Sequence, residues 1–475
     1  MTQYQVDKFY INGQWLTATS TDTFSLVNPA TEECIADIAM AGIEDVDRAV
    51  SAAAEAFESY SQTTVEQRLG WFEALLEEYR RRADEMTQAM VEEMGCPLSF
   101  AREVQTPCGE GHIEVMIETL RNFEFEHMSP RGGTLLVHEP VGVCGLITPW
   151  NWPINQVVAK VLPSLASGCT CVLKPSEESP LSALLFAEMI DAAGFPAGAF
   201  NLINGNGAVA GDRLSSHPDV DLVSFTGSTR AGKLVQANAV DTVKRVVLEL
   251  GGKSPNILFA DADLASAVAI SANACFSNSG QTCDAPTRLL VERPVYEQVK
   301  ALLVAEAEAT HVGDPAVEGN HIGPVVNRAQ FDRIQQKIRE GIDEGATLLA
   351  GGLGRPEGFD KGFYIRPTVF EVSHEMTVNR EEIFGPVLCV MPFDTEEEAI
   401  KLANDTVYGL GGAVQSGDLD RARRVARKIR AGNISINGAA YDYDVPFGGM
   451  KQSGNGRENG VFGLHDFLDI KAIAV

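Results

Sequence analysis

What this 475-residue chain lacks narrows its class before any motif is read. It has no run of about 18 apolar residues, so no membrane-spanning helix is expected. Met1 to Phe9 shows no basic segment leading into an apolar core, so no secretory leader is expected. Positive charge is scarce: 38 Lys and Arg stand against 65 Asp and Glu, a formal net charge of -27. That excess argues against nucleic acid and anionic membranes as partners, since both are polyanions. The nine cysteines are an odd number without paired spacing, which excludes a disulfide framework and suits free thiols in a reducing cytoplasm. No Cys/His cluster stands at ligand spacing, so no metal site is expected.

What is present is ordinary in bulk: 45% hydrophobic and 22% charged residues, as in a soluble globular protein. At about 150 residues per domain the length suits two or three domains. Internal repeats and low-complexity linkers are missing, so those domains should share a broad interface. Asp45 to Tyr60 and Val65 to Met94 read as amphipathic helices, the second ended by Gly95 and Pro97. Arg131-Gly132-Gly133 opens a strand-like run, Thr134 to His138, that Pro140 closes; this arm could lie on a neighbouring subunit.

From Val141 the pattern alternates. Strands are expected at Val141 to Thr148, Cys169 to Leu173, Phe200 to Ile203, Val220 to Phe225 and Lys244 to Leu248. Helices are expected between them at Ile154 to Leu165, Leu181 to Ala193, Gly207 to Ser215 and Thr229 to Ala239. A second alternating region spans Gly252 to Asn437, and the tail Asp469 to Val475 is again strand-like. Repeated strand and helix with glycine-rich turns specify an α/β fold with parallel sheets, which bind ligands at the carboxyl ends of their strands.

Several stretches at such ends could carry chemistry. Cys283 stands in Ser277-Asn278-Ser279-Gly280-Gln281-Thr282-Cys283-Asp284, among small polar residues where a substrate carbonyl could reach a thiol. Glu249, before Gly251-Gly252, could act as a general base, and the Asn151 amide could donate to an oxyanion. Lys174 and Glu177 offer a cation and a carboxylate to a ribose. Two loops compete as pyrophosphate sites. Gly205-Asn206-Gly207-Ala208-Val209-Ala210 matches G-x-G-x-x-A, but its lead-in strand is short and no acidic strand end follows about 20 residues on. Thr226-Gly227-Ser228-Thr229 ends a strong strand and opens a helix, which reads either as an anion site or as a turn with Ser228 as cap.

In their order these motifs resemble the aldehyde dehydrogenase superfamily over nearly the whole chain. The resemblance rests on PWNWP (Pro149 to Pro153), KPSE (Lys174 to Glu177), FTGSTRAG (Phe225 to Gly232), ELGGKSP (Glu249 to Pro255), NSGQTC (Asn278 to Cys283), EEIFGPV (Glu381 to Val387) and PFGGMKQSGNGRE (Pro446 to Glu458). It implies two parallel α/β, Rossmann-like domains and a small β arm. Residues 1–121 and 141–250 would bind the cofactor, 251–448 would be catalytic, and 122–140 with 449–475 would serve oligomerisation. It implies Cys283 as nucleophile, Glu249 as base and Asn151 as oxyanion donor. Cofactor contacts would fall to Thr148, Pro149, Trp150, Lys174, Ser176, Glu177, Gly227, Ser228, Leu250, Glu382 and Phe384. Substrate contacts would fall to Trp152, Thr282, Asp284, Tyr441 and Phe447.

The implied reaction is oxidation of an aldehyde to a carboxylic acid through a cysteine thiohemiacetal and thioester. Glu177 would bond a ribose diol and repel a 2′-phosphate, which favours NAD, with NADP possible. Glu249 favours hydrolysis over acyl transfer to coenzyme A, and the intact catalytic positions argue against a non-catalytic member of the fold. Aromatic walls suit an aliphatic or aromatic aldehyde; an aminoaldehyde or semialdehyde is the alternative. A homodimer or homotetramer is expected. Asp284 is a puzzle, because a carboxylate beside the nucleophile opposes thiol ionisation.

Overall fold

The computed structural model describes residues 4–475, so the first three residues of the Met1 to Phe9 stretch lie outside it. Two seven-stranded sheets dominate. In the first, the strand order is Arg245–Glu249, Leu222–Thr226, Val143–Ile147, Thr170–Lys174, Phe200–Leu202, Lys8–Ile11 and Gln14–Thr17. The first five run parallel and the last two are added antiparallel. In the second the order is Thr347–Ala350, Thr368–Glu371, Val387–Phe393, Arg288–Glu292, Pro255–Leu258, Gly411–Gln415 and Asn433–Ile436, parallel except for the first edge strand. A three-stranded antiparallel sheet joins Leu468–Ala474, Thr134–Pro140 and Glu126–Met128. The chain is thus an α/β protein with two parallel sheets and a small β arm.

Strand periodicity explains how each sheet is held. Side chains two apart share a face, so Cys144 and Leu146 pack in one core layer while Val143 and Ile147 pack in the layer behind. Likewise Ile257 and Leu290 lie on one side of the second sheet, with Leu258, Leu289 and Val291 on the other. Both faces are covered by helices, as all-apolar parallel strands require.

Three local departures from the sequence reading have physical causes. The helix expected over Val65 to Met94 breaks at Arg82, which leaves helical geometry (φ -112, ψ 17) between Val65–Arg81 and Ala83–Met94. There its guanidinium binds Glu85 and, across the fold, Glu188. The helix expected over Gly207 to Ser215 is a π-helical turn, Gly207–Gly211, followed by Asp212–Ser216. A 17-residue helix, Thr106–Asn122, preceded by a π-helical turn at Ala101–Gln105, was not foreseen.

Candidate active site

The carboxyl ends of the first sheet's parallel strands bring the sequence motifs together. Glu249 is the last residue of its strand, Thr226 closes the neighbouring strand and Lys174 a third. The amide of Gly227 donates to the Glu249 carbonyl at 3.0 Å, and that of Thr148 to the Lys174 carbonyl at 3.1 Å, so the edge is stitched into one rim.

Cys283 follows a tight turn, Ser277–Gly280, in which Asn278 (φ 54), Ser279 (φ 57) and Gly280 (φ 72) are all left-handed. Left-handed backbone costs a residue with a Cβ about 1–2 kcal/mol, so the turn needs outside support. It has that support. The Asn278 amide donates to the carbonyls of Asn151 (2.8 Å) and Gln281 (3.2 Å), and its Oδ1 accepts from Gln105 Nε2 (3.1 Å). Ser279 Oγ donates to the Gly323 carbonyl, and Gln281 Oε1 accepts the Val326 amide. At Gly280 a Cβ would run into the backbone of Gly385, so glycine is required there.

Asn151 Nδ2 donates to the Gln281 carbonyl at 2.9 Å, two residues before the thiol. An amide nitrogen has two hydrogens, so one is left for another acceptor. Trp152 Nε1 bonds Thr282 Oγ1 at 3.1 Å. Burial pushes the Cys283 thiol well above its ordinary range, and the charges of Asp284, Glu382, Glu249 and Glu458 add to the rise. Glu249 is 2% exposed. Its Oε2 accepts the Gly449 amide at 3.2 Å, and its Oε1 is buried without a partner. Burial, then the Glu458 charge, hold its carboxyl well above the usual range, against the pull of Lys160, Arg457 and the Gly449 amide.

Lys160 and Glu458 form a buried ion pair at 2.5 Å that sequence reasoning missed. Glu458 sits in the Pro446 to Glu458 motif, but Lys160 is the one charged residue of helix Pro153–Ser167, where only its burial makes it conspicuous. Also missed was the bond between His112 and Asn155 (2.9 Å), with Tyr443 5.0 Å from the imidazole, ring to ring.

Around this rim stand the residues expected to contact the cofactor. Thr148 Oγ1 and Thr226 Oγ1 are buried at the rim without hydrogen-bond partners. Lys174 Nζ lies 3.8 Å from Glu177 Oε2 and donates to the Pro175 and Gly205 carbonyls. The Gly205 loop thus lies beside Lys174. Ser176 Oγ accepts the Glu178 amide, and Ser228 Oγ accepts the Ala231 amide as the cap of helix Thr229–Asn238. Gly227 lies where a Cβ would stand 2.6 Å from the Phe225 ring, and Leu250 is buried against Gly232. Glu382 Oε1 takes the Gly252 amide at 3.0 Å. Phe384, itself left-handed (φ 59), stands edge-on to Trp150 at 5.4 Å, next to Pro149 in the chain. Two free rim hydroxyls, a helix amino terminus and carboxylates at either end fit a diribose diphosphate.

Of the expected substrate residues, Trp152, Thr282, Asp284 and Tyr441 line one cavity of about 460 Å³. Phe447 is outside its lining; it pairs backbone to backbone with Glu458 instead. The only group of His, Cys, Asp and Glu side chains close enough to hold a metal among the described residues is His374, Glu375 and Asp405, on the surface, and Arg380 already occupies the His374 and Asp405 side chains.

A family model described as the aldehyde dehydrogenase family matches residues 15–473. The chain belongs to that family. It is 50% identical over 468 residues to a 3-succinoylsemialdehyde-pyridine dehydrogenase from Pseudomonas sp, covering 98% of each chain. It is 45% identical to a putative aldehyde dehydrogenase of Staphylococcus saprophyticus, again over 98% of each. Among solved structures, a mutant of aldehyde dehydrogenase C from Pseudomonas syringae, complexed with NAD+ and octanal, superposes with TM-score 0.98 at 50% identity, covering 100% of this chain and 98% of that one. Betaine aldehyde dehydrogenase of Staphylococcus aureus, in complex with NAD+, follows at TM-score 0.95 and 37% identity, covering 98% and 94%.

Proposed function

We propose that this member of the aldehyde dehydrogenase family oxidises an aliphatic or aromatic aldehyde to its carboxylic acid with NAD, by way of a thioester on Cys283. The observation that carries the reading is the link from the Asn151 amide to the Gln281 carbonyl, which seats an oxyanion donor against the nucleophile's own turn. NAD is the cofactor bound in the solved relatives, and Glu177 beside Lys174 suits a ribose diol better than a 2′-phosphate, although the chain's groove does not bar NADP.

The chain's residues divide the work as follows. The Cys283 thiolate adds to the carbonyl carbon, and the oxygen becomes an alkoxide. The free hydrogen of the Asn151 amide, together with the Cys283 backbone N–H, stabilises that charge. Lys174, Glu177, the Gly227–Ser228 turn and Glu382 would hold NAD, which when bound would serve as the two-electron acceptor for the oxidation of the carbon from the aldehyde to the acyl level. Glu249 then removes a proton from water as it attacks the thioester, and Cys283 leaves as thiolate. Because Glu249 and Cys283 are both held above their ordinary ranges, their active, ionised forms accumulate as pH rises.

NADH formation from octanal tests the reading, and Cys283→Ala should abolish it. Glu249→Gln should release about one NADH per site in a burst and then stall, because only the hydrolytic half needs the base. Full steady-state turnover in Glu249→Gln would overturn the assignment. Acyl-CoA appearing when coenzyme A is added would favour the acylating subclass instead, and silence with every aldehyde would favour a non-catalytic member of the fold.

The first sheet with its helices is assigned to the cofactor, the second to catalysis and the three-stranded arm to self-association. Exposed Ile470 and Ile473 on the arm's edge strand support a homodimer or homotetramer. No described helix is long and apolar enough to cross a membrane. All nine cysteines are free thiols, which supports a place in the reducing cytoplasm.

A further inference from the structure

Asp284 follows the nucleophile, and its side chain lines the cavity of about 460 Å³ shared with Trp152, Thr282 and Tyr441. Thr282 and Asp284 flank Cys283 in the chain and Trp152 follows Asn151, so the walls of this space are built on the same two loops that carry Cys283 and Asn151. No other described residue donates a hydrogen bond to the Asp284 carboxylate, and burial raises its carboxyl above the ordinary range. Trp152 Nε1 is committed to Thr282, and Gln415 Nε2 points at Asn256 Oδ1 (3.4 Å). Through Asn273 the cavity adjoins a larger one of about 770 Å³, whose charged wall residues are Glu103 and Glu306, with His311 and His321. Neither lining contains a lysine or an arginine. Of the cations around the catalytic groups, Lys160 is paired with Glu458, Arg457 donates to the Gly449 and Gly456 carbonyls, and buried Lys253 donates to the Val378 carbonyl.

Resting on the reading of the chain as an aldehyde dehydrogenase, we infer that Asp284 is a charge filter for the aldehyde's tail. It admits tails that are neutral or cationic and rejects aldehydes that carry a second carboxylate. A tail extending from a carbonyl held at Cys283 into this cavity meets an uncompensated carboxylate, with no lysine or arginine in the lining to offset it. A buried like-charge encounter of this kind lowers kcat/KM by about tenfold or more. The Tyr441 and Trp152 rings beside Asp284 make the same space hospitable to an alkyl, aryl or ammonium group.

The test compares three aldehydes of matched length, butanal, 4-oxobutanoate and 4-(trimethylammonio)butanal, with NAD in wild type, Asp284→Asn and Asp284→Glu. In wild type, kcat/KM for 4-oxobutanoate should fall at least about tenfold below that for butanal, with the ammonium aldehyde at or above butanal. Asp284→Asn should raise the 4-oxobutanoate to butanal ratio by about tenfold, and Asp284→Glu, which keeps the charge, should leave it low. Any change in thiol ionisation multiplies all substrates alike and cancels in the ratio. Equal use of butanal and 4-oxobutanoate by the wild type, or a ratio in Asp284→Asn within about threefold of wild type, overturns the filter while leaving the aldehyde dehydrogenase reading intact. No NADH from any of the three overturns both.

Discussion

Asn151 spends one amide hydrogen on the Gln281 carbonyl, and the other is the one proposed to meet a developing oxyanion. Asn151→Ala removes both, and the loss of one such donor costs about 3 kcal/mol in the transition state, so kcat should fall by about 100-fold or more. Steady-state kinetics on one aldehyde would measure it, with KM changing far less than kcat. A second residue-scale prediction concerns stability. Glu93 is fully buried, and its carboxylate oxygens accept the Leu181 and Ser182 amides at the start of helix Pro180–Ala192. Burial outweighs those bonds and pushes its carboxyl from 4.5 up to about 8. The folded state therefore holds a proton that the unfolded chain releases. Glu93's contribution is intact below pH 4.5, declines as pH rises, and is wholly lost above about 8. The decline is at most about 5 kcal/mol. Glu93→Gln should flatten that slope and unfold at a higher temperature than wild type at pH 8; an unchanged pH dependence of Tm would contradict this.

At the scale of the element, the three left-handed residues before Cys283 make the turn intolerant of change. Gly280→Ala places a Cβ against the Gly385 backbone at φ 72, which should cost about 2 kcal/mol or more and sharply reduce activity. Urea unfolding and an alkylation rate for Cys283 would register the two effects separately. The turn also shows why some elements were readable in the sequence and others were not. Strands such as Val143–Ile147 are apolar throughout and lie between turn residues, here Gly142 and Pro149, so the alternation from residue 141 onward could be read directly. Helix Thr106–Asn122 could not, because Pro107, Gly109 and Gly111 resemble breakers. Tertiary packing sets those positions: a Cβ on Gly109 would strike the Tyr79 ring, and one on Gly111 the Tyr443 ring. The site divides the same way. Cys283, Glu249 and Asn151 sit in short local motifs, whereas the Lys160–Glu458 pair joins residues 298 apart and exists only once the chain has folded.

For the whole molecule, the net charge of -27 means that folding gathers like charges into one body. Salt screens that repulsion over about 10 Å at 0.1 M, so Tm should rise between low and moderate ionic strength, as scanning calorimetry would show. The surface ion pairs, such as Arg80 with Glu110 and Glu114, work in the opposite direction but weakly. A falling Tm would mean that those networks outweigh the net charge.

Residues 449–458 also bear on the order in which the proposed site is assembled. Glu249 and Cys283 are both synthesised well before the groups that surround Glu249. The Gly449 amide binds its carboxylate, the Ser453 carbonyl receives the Leu250 amide, Gly454 bridges its strand, and the Glu458 charge adds to the rise that burial imposes on its carboxyl. A ribosome-bound chain still lacking residues 449–458 therefore carries the Cys283 thiol while Glu249, the proposed base, still lacks these partners. The proposed site is assembled only after residue 458 has been made.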